Sequence, residues 1–153
     1  IREDKIILCD LGNKNISIVD IDGKPNIAES TATTTGMDYV KQRLLEIAKA
    51  NPNWNIQTVR DMERYLKNAD DKNINQIVFN SLDNDIFKDV DTTMKKLGSN
   101  VRGAKILFLG GGSVLLEAFI KEKWSTENTY FVPNPVTATV RGALARAFKK
   151  FKL

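Results

Sequence analysis

Three short stretches of this sequence combine residue types and spacings that could do chemistry. The first is Asp10-Leu11-Gly12-Asn13-Lys14-Asn15, directly after the apolar run Ile6-Ile7-Leu8-Cys9. A carboxylate at the end of a strand can hold a hydrated Mg²⁺, and a glycine soon after it lets the backbone turn so that successive N–H groups meet phosphate oxygens. The same residues also make an ordinary hairpin turn, so this stretch alone leaves both readings open. The second is Gly110-Gly111-Gly112-Ser113, between the apolar runs Ile106-Leu107-Phe108-Leu109 and Val114-Leu115-Leu116. Glycines between a strand and a helix let a flat ligand lie on the backbone, with helix N–H groups available to a phosphate. Their spacing is neither that of a dinucleotide fingerprint nor that of a Walker P-loop. The third is residues 59–66, where Arg60, Glu63 and Arg64 share one face of a helix. A solvated charged face explains these three equally well unless the other two stretches form a site.

Other chemistries are excluded by inventory. With no histidine and one cysteine, the chain can build neither a common zinc site nor a Ser-His triad. Cys9 lies in an apolar run and reads as a small core residue. Two-metal nuclease chemistry needs a cluster of carboxylates, and only Asp10 has a convincing position. Asp83, Asp85 and Asp91 have ordinary surface spacing on a helix. Trp54 and Trp124 read as covering the edges of the core.

The elements that must position these residues follow from periodicity. Residues 5–9 and 15–21 read as strands, residues 22–23 as a hairpin turn, and residues 26–30 as a third strand. Thr35 stands where a helix cap belongs, with Asp38 three residues on in a capping-box pattern. Met37, Val40, Leu44, Leu45, Ile47 and Ala48 then recur at helical spacing until Asn51-Pro52-Asn53. A second helix fits residues 58–68. The asparagine-rich residues 68–75 read as a loop and residues 76–79 as a short strand. Residues 83–97 form a helix, 105–109 a strand, 113–122 a helix, 129–132 a strand and 136–148 a last helix. This order, with a helical insertion at about residues 52–82, is the layout of an RNase H-like α/β domain, a mixed sheet flanked by helices.

Length and charge bound the rest. A chain of 153 residues suits one hydrophobic core. No apolar run approaches the roughly 18 residues of a membrane span, and the N-terminus lacks a signal-peptide layout, so the expectation is a soluble, cytoplasmic protein with no membrane partner. The chain starts with Ile1 almost directly in a strand pattern, as an excised segment of something longer would. Arg141, Arg146, Lys149, Lys150 and Lys152 bring five positive charges and no acid to residues 141–153, so the net +4 leaves −1 for the remainder. That basic end suits a helix C-terminus or a contact with an acidic partner or DNA.

Taken together and in order, the motifs resemble the second half of the actin, Hsp70 and sugar-kinase superfamily. Residues 10–17 look like its second phosphate motif and Gly110-Gly111-Gly112-Ser113 like its adenosine motif. Residues 35–39 and 59–66 are similar to the two intervening helices in actins, and residues 134–143 resemble a segment of ParM-type plasmid proteins. The resemblance covers nearly the whole chain. It implies one lobe of an ATPase that takes ATP or ADP with Mg²⁺. Asp10 would hold the Mg²⁺ water shell and act in catalysis, the amides of Gly12, Asn13 and Lys14 would meet phosphates, and Gly110, Gly111, Gly112 and Ser113 would lie under the adenosine. Arg60, Glu63 and Arg64 would reach the nucleoside, with a charge order at the last two unlike that of actins. Lys14 and Asn15 stand where the family has Thr or Gly, so Lys14 either reinforces or alters phosphate contact. The resemblance further implies a first lobe as partner, self-association into filaments, a DNA-binding adaptor and a task in plasmid or DNA segregation. A sugar or small-molecule kinase lobe and a metal-dependent nuclease are the alternatives.

Overall fold

The computed structural model describes residues 6–22, 24–25, 31–33, 35–96, 104–124 and 127–137. Strand β1 (Ile6–Leu11) buries Ile7, Cys9 and Leu11 on one face and leaves Ile6, Leu8 and Asp10 half-buried on the other, as the two-residue period of a strand requires. It pairs antiparallel with β2 (Ile16–Asp22), with Asp10 opposite Ser17 and Leu11 opposite Ile16. On its other side it pairs parallel with β5 (Lys105–Leu109), which places Asp10 opposite Leu109. Strand β6 (Thr129–Phe131) continues the sheet parallel to β5, while β3 (Lys24–Pro25) and β4 (Thr31–Thr33) both pair with β2. The order β3-β2-β1-β5-β6 therefore mixes an antiparallel half with a parallel half. The expected third strand at residues 26–30, Gly23 of the expected turn, and residues 138–148 of the expected last helix lie outside the described residues. The described β3 and β4 flank the first of these.

Between β4 and β5 the chain is helical. Helix α1 (Met37–Lys49) buries Met37, Val40, Leu44, Leu45 and Ala48, one stripe at three- and four-residue spacing. Its cap differs from expectation. The N-cap is Gly36, without a side-chain cap, rather than Thr35. Instead, the Met37 and Asp38 amides each donate to the turn after β1, at the carbonyls of Gly12 and Asn13, both at 2.9 Å. Those carbonyls satisfy donors that a capping side chain would otherwise have to meet.

Helix α2 (Val59–Asn68) starts as expected, with Thr58 and Asp61 closing a reciprocal capping box. The strand expected at residues 76–79 is instead part of helix α3 (Lys72–Leu82), where Asp71 Oδ1 accepts from the amides of Asn73 at 2.9 Å and Ile74 at 3.1 Å. The cap and the burial of Val78 and Leu82 outweigh the low helix propensity of asparagine. A π-helical turn, Asp83–Phe87, joins α3 to α4 (Lys88–Lys96). Val78, Leu82, Ile86, Val90 and Met94 recur every four residues, which drifts about 40° per step on a helix of 3.6 residues per turn. One wider turn takes up part of that drift and keeps the stripe on the core.

All of these helices contribute to one core. Phe87 meets Trp124 edge-on at 5.1 Å between centroids and Phe79 at 6.1 Å, and Phe108 lies 5.5 Å from Trp124. Trp54 and Trp124 are partly buried against the core, at its edges as read from the sequence, and Cys9 is fully buried. Burial raises the Cys9 thiol pKa strongly, with the neighbouring Asp10 charge adding to it, so the group is an inert core thiol. The helix expected at residues 113–122 is two short ones, α5 (Gly111–Leu115) and α6 (Glu117–Lys123), which part at the buried Leu116. Among the described residues no helix is long and apolar enough to cross a membrane.

Candidate functional site

The carboxyl ends of the parallel strands β1 and β5 lie side by side, where open α/β sheets gather their ligands. At the first end stands Asp10, followed by the turn of residues 12–15. At the second stand Gly110 and α5. Gly110 has φ +84, and a side chain there would strike both the Asp10 carboxylate and the Leu11 carbonyl. Glycine is what allows these two strand ends to close on one another. The Gly110 amide is held by the Pro135 carbonyl at 3.0 Å, and the buried Ser113 hydroxyl donates to the Gly110 carbonyl at 2.8 Å. Ser113 therefore braces the glycine turn from inside.

The three glycines of this turn have different surroundings. A side chain at Gly112 would meet Leu11 and Met37, so Gly112 is where α5 rests on the core. At Gly111 nothing lies within 4 Å of the place a Cβ would take. The open face of the turn is thus at Gly111.

The orientation of the first turn follows from its contacts with α1. Gly36 adjoins it so closely that a Cβ would run into the backbone of Asn13 and Lys14. The Gly12 and Asn13 carbonyls point at α1. Among the described residues there are no cis peptide bonds, and in a trans peptide C=O and N–H point in opposite directions. The amides of Asn13 and Lys14 therefore point away from α1, and neither has a partner among the described residues. Two adjacent unpaired N–H groups facing the same way form a cradle for an anion. Gly12 departs from expectation, because its amide closes the hairpin by donating to the Asn15 carbonyl at 3.1 Å.

Charged side chains flank this cradle. Lys14 Nζ lies 2.9 Å from Asp38 Oδ2, so its ammonium is drawn to the α1 side of the turn, opposite the free amides. The hydrogen bond to Asp38 and then its charge raise the Lys14 pKa, and the Lys14 hydrogen bond lowers that of Asp38. Of the three residues expected on α2, Arg60 is exposed, Arg64 approaches Asp61 only at 3.9 Å, and Glu63 accepts from Lys41 Nζ at 2.9 Å. Helix α2 packs against both α1 and α5. Sequence reasoning missed Lys41, although its position was a signal. It falls in the buried stripe of α1, between Val40 and Leu44, and is only 8% exposed. Among the described residues no three His, Cys, Asp or Glu side chains gather where they could hold a metal. Asp10 offers one carboxylate, which suits a cation held mainly by water and phosphate oxygens.

No protein-family model matches the sequence, and no curated protein is similar to it in sequence. Solved structures are similar in fold. ParM of Bacillus thuringiensis with ADP matches over 96% of this chain and 48% of its own, at 17% identity and a TM-score of 0.64. The actin-like protein Alp7A matches over 99% of this chain and 47% of its own, at 17% identity and a TM-score of 0.69. The ethanolamine utilization protein EutJ from Carboxydothermus hydrogenoformans matches over 89% and 47%, at 14% identity and a TM-score of 0.62. The chain spans about half the length of each of these structures. Similarity over nearly all of this chain, together with the mixed sheet and its flanking helices, establishes that the chain has the actin-like ATPase fold.

Proposed function

We propose that this chain is the nucleotide-binding second lobe of an actin-like, filament-forming ATPase of the ParM type, serving plasmid or other DNA segregation in the cytoplasm. The observation that carries the reading is the pairing of outward amides at Asn13 and Lys14 with the open backbone of Gly111, at adjacent ends of one sheet. An anion cradle beside a flat, unobstructed floor suits a nucleoside with a phosphate chain. ParM has been solved with ADP and with AMPPNP, which supports ATP or ADP as the ligand here.

In this reading the Asn13 and Lys14 amides hold phosphate oxygens, and Asp10 orients the water shell of Mg²⁺. Gly111 lies under the nucleoside, with Gly110 and Gly112 shaping the floor and Ser113 bracing it. Arg60, Glu63 and Arg64 border the nucleoside from α2. Bound Mg²⁺ would neutralise charge on the phosphates. Phosphoryl transfer depends on positioning and charge stabilisation from both sides of the phosphate chain, so a first lobe must complete the site and this lobe alone hydrolyses ATP poorly. Residues 52–82 form the insertion subdomain of the lobe. Self-association into filaments and a DNA-binding adaptor complete the proposal.

The test is MgATP binding, measured by calorimetry on this chain and on the full-length protein, with Asp10→Ala and Gly111→Val alongside. Binding in the micromolar range by the full-length protein, lost in both variants with the fold intact by circular dichroism, supports the site. Absence of binding in the full-length protein, or binding that survives Gly111→Val, rejects it. The nuclease alternative gains nothing from the described carboxylates, which form no cluster.

A further inference from the structure

Lys14 belongs to the anion cradle through its backbone, because its own amide is one of the two outward donors of the turn. Its ammonium lies elsewhere, 2.9 Å from Asp38 Oδ2 on the α1 side. That pairing is one the protein can give up at little cost. The Lys14 side chain is 87% exposed and that of Asp38 43%, and an ion pair so open to water is weak and screened by salt. Asp38 does not depend on Lys14 either. Its other oxygen, Oδ1, lies 3.5 Å from Lys41 Nζ, a cation only 10% exposed that Glu63 Oε1 holds at 2.9 Å. When Lys14 leaves, Asp38 keeps a positive neighbour, and no bare charge remains at the start of α1.

A second acceptor is within reach of the same ammonium. Lysine carries its charge on a flexible four-carbon stem, long enough to meet any oxygen that the Lys14 amide itself can bind. A phosphate chain in the cradle brings several negative oxygens to that place, and hydrogen bonds from an ammonium to phosphate are among the strong ones. Two acceptors thus compete for one cation, Asp38 while the cradle is empty and phosphate once it is filled. We propose that Lys14 is an exchangeable cation of the nucleotide site, held by Asp38 until a phosphate chain draws it away, so that Lys14 supplies part of the affinity and Asp38 limits it. The inference rests on the nucleotide-site reading and adds a binding residue together with its built-in competitor.

The test is a double-mutant cycle of MgATP affinity, by calorimetry on the full-length protein, with Lys14→Gln, Asp38→Asn and the two combined. Lys14→Gln should weaken binding roughly tenfold, the effect of losing one hydrogen bond between charged groups. Asp38→Asn should do the reverse. It frees the ammonium, and a binding-competent state that is only partly populated lowers the apparent affinity by that fraction, so binding should strengthen roughly two- to fivefold. In the Lys14→Gln background, Asp38→Asn should change nothing. A pair that only braces the turn would lower the urea midpoint in both single variants and strengthen binding in neither. A gain from Asp38→Asn that persists without Lys14 would come from the carboxylate's field alone and overturns the exchange. Unchanged affinity in either single variant, or weaker binding in Asp38→Asn, overturns it as well, and each of these results leaves the nucleotide site standing. Failure of the parent to bind MgATP removes both proposals together.

Discussion

Asp10 and Gly110 terminate neighbouring parallel strands, and the Asp10 carboxylate lies against the bare backbone of Gly110. The approach requires the absence of a side chain and a φ of +84 at Gly110. Gly110→Ala should therefore destabilise the fold, with left-handed strain alone costing about 1–3 kcal/mol. Gly111→Val meets open space and should stay within about 0.5 kcal/mol of the parent, while lowering MgATP affinity at least about tenfold. Urea midpoints and calorimetry on the two variants separate these outcomes. Equal loss of stability in both would show that Gly111 belongs to the packing.

Asp10→Asn keeps the shape of the side chain and removes its charge. If Asp10 orients the Mg²⁺ water shell, chelation with EDTA should weaken nucleotide binding by the parent and do almost nothing to the variant. A variant that responds to EDTA as the parent does would place the metal elsewhere.

The Thr58–Asp61 capping box gives stability an acid dependence. The Asp61 pKa lies below its ordinary 3.8 because the Thr58 hydroxyl, then the Gln57 and Thr58 amides, bond its carboxylate. A carboxylate with a folded pKa below its unfolded one adds stability that is fully present above 3.8 and lost as pH falls through the folded value. Midpoints followed from neutrality to about pH 2 should show a shallower acid decline in Asp61→Asn. Thr58→Ala should cost about 1 kcal/mol at neutral pH.

Phe87 is 1% exposed and packs edge-on against Trp124. Phe87→Ala should cost about 3–5 kcal/mol in urea unfolding. It should also shift Trp124 emission to longer wavelength as solvent reaches the indole. A change in stability with unaltered emission would mean that the loss is relayed through Phe79 instead.

Legibility in the sequence followed how local the causes were. Helix α1 could be read from Met37, Val40, Leu44 and Ala48, and β5 from five consecutive apolar or snorkelling residues, because periodicity is set by neighbours. Helix α3 was hidden because residues 72–75 read as the end of a polar loop spanning 68–75 and residues 76–79 fit a short strand. Its helical state comes from the Asp71 cap and from burial of Val78 and Leu82. The site motifs were visible as glycines and a strand-end aspartate, yet Gly12, Asn13 and Lys14 looked alike as amide donors.

Asp10, the Gly12–Asn15 turn and the three glycines were determined by the sequence itself, since a strand end, a tight turn and a bare backbone each depend on residue type at its own position. Which amides face outward, which glycine is open, and where the Lys14 and Lys41 charges go were decided only by the tertiary structure. The physical reason is that α1 binds the carbonyls of Gly12 and Asn13 from outside their own turn, and α2 brings Glu63 to 2.9 Å from Lys41 Nζ, which within its own helix meets only Asp38 at 3.5 Å.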